Sequence, residues 1–322
     1  MTRVAAVDCG TNSIRLLVAD LDPATGELVE LDRRMTIVRL GQGVDKTGRL
    51  APEALERTFA ACRVYAEVIK ELGAERLRFV ATSASRDAEN RDDFVRGVVE
   101  ILGVEPEVIS GDEEAEFSFI GATKELTGAD LPQAPSGGTP MDKPFLVVDI
   151  GGGSTEFVVG EDHVRAARSV DVGCVRMTER HLVVDGAVTD PPTAEQIAAI
   201  RADIEAALDL AEQTVPLREA RTLVGLAGSV TTVAGIALGL PDYISSEIHH
   251  ARVPYATVRE ITERMLTTTH AERAAIPVLH PGRVDVIGAG ALVLQAVMER
   301  IGAAEVVVSE HDILDGIAWS IA

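Results

Sequence analysis

Two segments of this sequence combine an aspartate with a loop of glycines and polar side chains. Each begins with a hydrophobic run that ends in the aspartate, and a second apolar run follows the loop. The segments are 7–13 (VDCGTNS) and 148–154 (VDIGGGS). Three matched pairs lie 141 positions apart (149 − 8, 151 − 10 and 154 − 13): Asp8 with Asp149, Gly10 with Gly151, and Ser13 with Ser154. This constant spacing predicts a duplicated structural unit.

Both loops have the chemistry of a phosphate-binding hairpin, and we call them phosphate loop 1 (8–13) and phosphate loop 2 (149–154). Glycine lets the chain turn tightly and brings backbone N–H groups close to an anion. Neither loop bears a lysine and each leads into a strand, so neither fits the Walker pattern. Nearby hydroxyl groups add further donors: Thr11, Ser13, Ser154 and Thr155.

The aspartates need a different partner, because a carboxylate repels a phosphate. We expect Asp8 and Asp149 to hold a divalent cation, directly or through water. The alternative is that each Asp-x-Gly is an ordinary hairpin turn, which would be the better interpretation of a single copy. Two copies in register favour the phosphate loop.

Two other turns carry groups that suit an anion. Residues 226–232 (LAGSVTT), which we call phosphate loop 3, place Gly228 and Ser229 at a strand-to-helix junction, where a helix N-terminus offers free N–H groups. Alternatively, Gly228 allows close packing and Ser229 caps the helix. Arg86 follows a strand and several hydroxyls, and its planar fork suits phosphate oxygens. Its alternative role is a surface arginine in a capping turn.

An acidic cluster at 112–116 resembles an ordinary helix start, which the helix dipole favours. Hydrolysis of a phosphoryl group also needs a carboxylate to orient or deprotonate water, and this cluster follows the last predicted strand of the first domain. Asp112 and Glu116 are expected to stay solvated or to cap the helix. His249 and His250 lack the further ligands of a metal site, so we expect them to line or support a cleft between two domains.

The elements that must position these residues follow from hydrophobic periodicity. The order β-β-β-α-β-α in the first part predicts a mixed sheet flanked by helices. Thr193 and Gln196 have the spacing of a capping box. The predicted strands after the first hairpin are 28–31, 35–40, 77–81, 108–109, 222–227 and 305–309. The predicted helices are 52–73, 88–102, one beginning after Gly173, 193–214, one beginning at Gly228, 255–266, 284–301 and 312–321.

At 322 residues the chain suits two domains. We predict one from 1–123 plus 309–322 and another from 124–308, with a flexible surface loop at 127–143 that is rich in proline and glycine. No apolar run is long enough to span a bilayer, and the first residues lead directly into a strand instead of a signal peptide. Three separated cysteines form no zinc or disulfide pattern. A cytoplasmic protein is therefore expected.

The net charge of −21 argues against a general nucleic-acid or membrane-binding surface, since both reward broad basic patches. A small anion can still bind where backbone amides, a metal ion and a few arginines reverse the field locally. The composition, 46% hydrophobic and 25% charged, is that of a globular protein.

These motifs, in this order, resemble the exopolyphosphatase and guanosine pentaphosphate phosphohydrolase (Ppx/GppA) family. That family is a branch of the actin, sugar kinase and heat-shock chaperone (ASKHA) superfamily. The resemblance covers essentially the whole chain. It is carried by residues 7–17, 82–86 with Asn90, 110–115, 147–157, 225–232 and the region of His249.

The resemblance implies an α/β fold of two actin-like, ribonuclease H-like domains around a central cleft. It assigns activation of water to Glu114, the second glutamate of the Glu-Glu-Ala motif. Asp149 would act with Mg²⁺, Asp8 would assist, and Glu156 would complete the acidic surroundings. The phosphate-binding residues that it implies are Asn12, Ser13, Arg86, Gly151, Gly152, Gly153, Ser154, Gly228 and Ser229, to which the first loop adds Thr11.

The expected reaction is attack of water on the end of linear polyphosphate, with release of orthophosphate. Guanosine pentaphosphate is the alternative substrate and would connect the protein to the stringent response. A regulator that binds an alarmone or nucleotide without rapid turnover is the alternative outside enzymes, and nothing in the sequence identifies the sugar pocket of a kinase. A homodimer is compatible with the resemblance. The chain departs from the family pattern at Cys9 and Thr11, where the family often has an aliphatic residue and a serine, and at His250, which replaces the glycine of a His-Gly-x-x-Leu pattern. We expect it to be a short form without the extra C-terminal domain of longer members.

Overall fold

The computed structural model describes residues 1–22, 24–25, 27–124, 141–184 and 186–321. In chain order the strands are β1 (Thr2–Cys9), β2 (Ser13–Leu21), β3 (Leu28–Ile37), β4 (Arg76–Ala81), β5 (Glu107–Val108), β6 (Phe145–Ile150), β7 (Thr155–Gly160), β8 (Val164–Val170), β9 (Val183–Val184), β10 (Ala187–Val188), β11 (Thr222–Leu226), β12 (Arg252–Pro254) and β13 (Glu305–Val308).

Helices occupy most of the remaining described chain. They are α1 (Val44–Thr47), α2 (Pro52–Leu72), α3 (Ser83–Arg86), α4 (Arg91–Leu102), α5 (Gly111–Thr123), α6 (Cys174–His181), α7 (Ala194–Glu212), α8 (Ala227–Ala237), α9 (Ser245–Ile248), α10 (Tyr255–Thr267), α11 (His270–Ala274), α12 (Ile287–Ile301) and α13 (Ile313–Trp319). No helix in the described part of the chain is both long enough and apolar enough to cross a membrane.

The chain divides into two compact units, the first Met1–Gly121 with Ile313–Ala322 and the second Ala122–Asp312. In the first unit, five strands form a sheet in the order β3-β2-β1-β4-β5. Strands β1, β2 and β3 are antiparallel neighbours, whereas β4 and β5 run parallel to β1. This confirms the predicted mixed sheet.

The second unit repeats that sheet. Its six strands lie in the order β12-β13-β11-β6-β7-β8, with β6, β7 and β8 antiparallel and with β11 and β13 parallel to β6. Strands β6, β7, β8, β11 and β13 thus occupy the places of β1, β2, β3, β4 and β5. The duplication seen in the loops therefore extends over each whole sheet.

Helices cover both faces of the first sheet. Helix α2 begins at Pro52, is capped after Leu72 by Gly73 in the left-handed conformation (φ 70°), and buries Cys62 and Tyr65 against one face. The Tyr65 hydroxyl donates to the carbonyl of Ile14 at 2.9 Å. On the other face, α13 packs with β1, β2 and β4, and Arg33 of β3 forms an ion pair with the buried Asp315 at 2.6 Å. The central strands β1 and β2, which carry phosphate loop 1 between them, are therefore largely buried, whereas the edge strand β3 is not.

Most of the predicted elements are confirmed, including the capping box of Thr193 and Gln196 at the start of α7. Two predicted strands at 28–31 and 35–40 are one continuous strand, because β2 pairs with the whole of β3. Helix α4 begins at Arg91, three residues later than predicted. Strand β8 was not predicted from the sequence. The predicted loop at 127–143 lies outside the described residues up to position 140.

Candidate active site

Phosphate loops 1 and 2 have the same backbone geometry. In loop 1, the N–H of Gly10 donates to the carbonyl of Ser13 at 2.9 Å, and in loop 2 the N–H of Gly151 donates to the carbonyl of Ser154 at 3.0 Å. Each bond closes a tight turn between two antiparallel strands. The predicted hairpins are confirmed, and their polar groups lie at the end of a buried strand.

The aspartates that precede the two loops have opposite cross-strand neighbours. Asp8 faces Arg15, whose guanidinium binds its carboxylate at 2.7 Å. Asp149 faces Glu156 at the equivalent place, since 156 − 15 is also 141. Both Asp149 and Glu156 are buried, and the hydroxyl of Ser169 donates to Glu156 at 2.7 Å. The first unit therefore neutralises its aspartate with a cation of its own, whereas the second concentrates two carboxylates.

A short chain of contacts connects phosphate loop 1 to Glu114. The buried hydroxyls of Thr11 and Ser83 lie 2.8 Å apart, which fastens the loop to the single-turn helix α3. Arg86, at the end of α3, donates to the carboxylate of Glu114 at 3.2 Å and to the carbonyl of Ile109 at 3.0 Å. The first unit thus brings phosphate loop 1, Arg86 and Glu114 together.

The two adjacent glutamates of α5 have different environments. Glu113 is exposed, and its carboxylate accepts hydrogen bonds from the backbone N–H and the hydroxyl of Ser110, both at 2.9 Å. These bonds hold the pKa of Glu113 below its ordinary value. Glu114 is buried and bound to Arg86. Glu113 therefore caps the helix, whereas Glu114 is held against Arg86.

Phosphate loop 3 introduces an arginine that the sequence did not single out. Gly228 is the second residue of α8, and a Cβ placed on it would lie 2.2 Å from Cζ of Arg283. Arg283 donates to the carbonyl of Gly228 at 3.2 Å and approaches the hydroxyl of Thr232 at 3.3 Å. The only sequence signal is that Arg283 ends a Pro-Gly-Arg turn before an apolar helix. The contact spans 55 positions and depends on tertiary packing.

Ser229 is buried, and its side chain lies against Gly290 of α12, where a Cβ would lie 2.2 Å from its Oγ. It also forms a hydrogen bond with Cys174, although burial is the larger influence and raises the pKa of that thiol. The hydroxyl of Ser229 therefore packs within the second unit. If this residue contacts phosphate, the contact is therefore made by its backbone N–H.

The histidine pair of the second unit is stacked, and a third histidine lies next to it. The rings of His249 and His250 lie 3.7 Å apart, and His311 lies 4.7 Å from His249. His250 has a left-handed backbone conformation, with φ of 62°. Glycine adopts that conformation readily, which explains why the pattern predicted from the family places glycine there. Burial raises the pKa of the neighbouring Glu310, whose backbone N–H donates to His249 at 3.1 Å.

Among the described residues, no cluster of three or more His, Cys, Asp or Glu side chains could hold a metal ion on its own. Mg²⁺ does not need such a cluster, because it commonly binds one or two carboxylates together with water and substrate phosphate oxygens. Asp149 and Glu156 supply two such carboxylates. The donor set of the second unit therefore fits a magnesium ion that the substrate helps to coordinate.

The Ppx/GppA phosphatase family matches residues 17–322. This chain belongs to the Ppx/GppA phosphatase family. Over 333 aligned residues it is 49% identical to exopolyphosphatase 2 of Mycobacterium tuberculosis, with 100% of this chain and 99% of the relative covered. A guanosine-5′-triphosphate,3′-diphosphate pyrophosphatase of Aeromonas salmonicida is 28% identical over 98% of this chain and 59% of its own length.

A solved structure of an exopolyphosphatase-like protein has the same fold, with a TM-score of 0.90 and 43% identity over 99% of this chain and 97% of that one. The fold is the mixed α/β, actin-like fold of Ppx/GppA proteins, so the predicted fold class is confirmed. Phosphatases of this family generally depend on a divalent metal ion.

Proposed function

We propose that this protein is an exopolyphosphatase that removes the terminal phosphate of linear polyphosphate. The observation that carries the proposal is the partly buried ion pair of Arg86 and Glu114, which α3 connects to phosphate loop 1. A protein that only bound phosphate would gain little from a buried carboxylate beside its phosphate loop, since the two charges repel. A hydrolase needs that carboxylate to handle water. The relative from M. tuberculosis supports polyphosphate as the substrate.

In the proposed reaction, Glu114 accepts a proton from water as the water oxygen attacks the terminal phosphorus. The bond from that phosphorus to the bridging oxygen breaks, and the bridging oxygen leaves with the electron pair on a chain one unit shorter. Arg86 holds the Glu114 carboxylate in place by the hydrogen bond at 3.2 Å. Positioning and charge neutralisation supply most of the rate enhancement in phosphoryl transfer.

The phosphate chain is held by backbone N–H groups and by arginines. We assign this role to Thr11, Asn12 and Ser13 in the first unit, together with Arg86. In the second unit we assign it to the backbone of phosphate loops 2 and 3, and to Arg283. The residues concerned in those loops are Gly151, Gly152, Gly153, Ser154, Gly228 and Ser229.

We assign the cation, Mg²⁺, to Asp149 and Glu156. When bound, it would neutralise the charge that develops on the phosphate oxygens. Asp8 forms an ion pair with Arg15. We therefore propose that Asp8 orients this arginine and does not bind the cation directly. The cytoplasmic location and the homodimer remain predictions from the sequence.

The test is phosphate release from polyphosphates of several lengths and from guanosine pentaphosphate, measured side by side with Mg²⁺. We expect kcat/KM to be higher for polyphosphate. Release from guanosine pentaphosphate alone would make the protein a pentaphosphate hydrolase with the same site. Binding of either compound without turnover would favour a regulator and contradict the proposed role of Glu114.

A further inference from the structure

Phosphate loop 2 is held from behind by the first turn of α6. The N–H of Cys174 donates to the carbonyl of Gly151 at 3.0 Å. The N–H groups of Val175 and Arg176 both donate to the carbonyl of Gly152, at 2.9 and 3.0 Å. Gly173 makes this close approach possible, because a Cβ on it would lie 2.4 Å from the carbonyl oxygen of Gly152. The N–H groups at the N-terminus of α6 therefore donate to the loop and are not available to a ligand.

The side chain of Arg176 extends the same arrangement by one residue. Its Nε donates to the carbonyl of Gly153 at 2.7 Å, a bond between groups 23 positions apart. Its side chain is only 13% exposed, and its terminal nitrogen lies 3.7 Å from Asp171. Three consecutive carbonyls of phosphate loop 2, those of residues 151, 152 and 153, thus point towards α6.

The orientation of the carbonyls decides where the loop's N–H groups point. In a trans peptide the C=O and the following N–H point in opposite directions. The N–H groups of Gly152, Gly153 and Ser154 therefore point away from α6. Within the described part of the chain, none of these three N–H groups donates to a backbone or side-chain acceptor. They are available for an anion.

Phosphate loop 1 achieves the same orientation with main-chain donors. Asn12 is the counterpart of Gly153, since 153 − 12 is 141. Its carbonyl accepts from the N–H groups of Val38 and Arg39, at 3.0 and 2.9 Å. Loop 2 instead uses a guanidinium, which brings a positive charge behind the peptide that joins Gly153 to Ser154. At this carbonyl the two copies therefore differ in the kind of donor that holds them.

We propose that Arg176 is a positioning residue that orients the Gly153–Ser154 peptide so that the Ser154 N–H faces the bound phosphate. This inference rests on the proposed function and deepens it. Arg176 does not touch the substrate; it acts through the peptide. The planar guanidinium donates from Nε in a fixed direction, which the flexible ammonium of a lysine does not reproduce. The role therefore requires arginine, not merely a positive charge.

The experiment compares the full-length wild-type protein with Arg176→Gln, Arg176→Lys and a matched control, Arg180→Gln. Arg180 lies one turn further along α6 and pairs with Asp203 at 3.0 Å, away from the loop. Binding of tripolyphosphate is measured by calorimetry in EDTA, so that no turnover is needed. Backbone amide spectra of Gly152, Gly153 and Ser154 are followed during the titration, and KM and kcat are measured with polyphosphate and Mg²⁺.

We expect Arg176→Gln to raise the Kd for tripolyphosphate about tenfold or more, as loss of one charge-assisted hydrogen bond predicts. KM should rise by a similar factor, with a smaller change in kcat. The Ser154 amide should shift less on titration than in the wild type. Arg176→Lys should reverse less than half of the increase in log Kd caused by Arg176→Gln. The Kd of Arg180→Gln should equal that of the wild type.

The proposal is overturned if Arg176→Gln and Arg180→Gln bind tripolyphosphate equally well, or if the lysine variant is fully restored. It is also overturned if the wild type does not bind tripolyphosphate. If Arg176→Gln does not fold, the lysine variant and its Ser154 amide decide the question. If the wild type binds tripolyphosphate with the expected dependence on Arg176 but does not hydrolyse polyphosphate, the proposed function is wrong and the role of Arg176 stands.

Discussion

Asp149 and Glu156 face each other across two antiparallel strands, and both side chains are buried. The equivalent pair in the first unit is Asp8 with Arg15, in which the arginine neutralises the aspartate. Two buried carboxylates at one place are costly unless a cation or hydrogen bonds compensate them. Because Glu156 stands where the first unit has Arg15, we propose that the second unit is the one that binds the metal ion.

Replacing Glu156 with Gln should raise the Mg²⁺ concentration needed for half-maximal activity. We expect a shift of at least about tenfold, since even residues that only support a metal ligand cost that much in affinity. Activity is measured against the Mg²⁺ concentration, and Mn²⁺ binding is followed independently by electron paramagnetic resonance. Asp20→Asn is the control, because Asp20 pairs with Arg3 at the far end of the first hairpin. Identical Mg²⁺ curves for Glu156→Gln and wild type would remove Glu156 from the cation site.

Glu114→Gln should reduce kcat by about 10²- to 10⁴-fold, which is the usual contribution of a general base. Its neighbour provides the control. Glu113→Ala removes a helix cap and should cost about 1 kcal/mol of stability while kcat stays near the wild-type value. Phosphate release and thermal melting separate the two effects. Equal losses of kcat in the two variants would mean that neither glutamate acts as the base.

Gly228→Ala should weaken substrate binding with little effect on stability. The added Cβ would lie 2.2 Å from Cζ of Arg283, the far end of a flexible side chain that can move away. We expect KM to rise by about tenfold, because the displaced guanidinium no longer lies beside phosphate loop 3.

The control for that variant lies on the same helix. In Gly235→Ala the Cβ would lie 2.5 Å from Cγ2 of the buried Val278. Overpacking of a core costs about 1–3 kcal/mol, so this variant should lower the melting temperature and leave KM unchanged. A change in KM for Gly235→Ala alone would contradict the placement of Arg283.

His250→Gly should be more stable than His250→Ala. Both variants lose the ring that stacks on His249 at 3.7 Å, but only glycine relieves the left-handed backbone at φ 62°. The expected difference is about 1 kcal/mol, the usual cost of that conformation for a residue with a Cβ. Urea denaturation of the two variants measures it. Equal midpoints would show that the backbone at this position relaxes.

The cysteines should resist alkylation in the native protein. Cys9, Cys62 and Cys174 are buried, and burial raises the pKa of each thiol, that of Cys62 to about 12. Little thiolate is present at pH 8, so iodoacetamide should label none of them until the protein is unfolded.

The same shift predicts how stability depends on pH. The native state holds the Cys62 proton more tightly than the unfolded state, in which the thiol has its ordinary pKa of 9.0. The contribution of this group to stability is therefore complete below pH 9 and is lost as the pH rises towards about 12. Removal of the thiol in Cys62→Ala should flatten the stability profile in that range. If stability falls identically with pH in the wild type and in Cys62→Ala, other titrating groups cause the loss of stability.

Local sequence patterns determined much of this protein. The 141-residue offset predicted two equivalent hairpins because the turn chemistry of glycine and the alternation of strands act over a few residues. Helix α2, the capping box of α7 and the buried strands could be predicted for the same reason. Only the resemblance to the family singled out Glu114, because the local sequence does not distinguish it from the other acidic residues of the cluster.

Tertiary packing decided the rest. Glu113 and Glu114 are adjacent and chemically identical, and only the way α5 lies against Arg86 makes one a cap and the other a buried carboxylate. Arg283 reaches Gly228 across 55 positions, and Arg176 reaches Gly153 across 23. Such contacts depend on where whole elements pack, which no local pattern encodes. The sequence by itself determined the two equivalent hairpins and the family resemblance; the folded structure decided which side chains contact the loops and how each one is held.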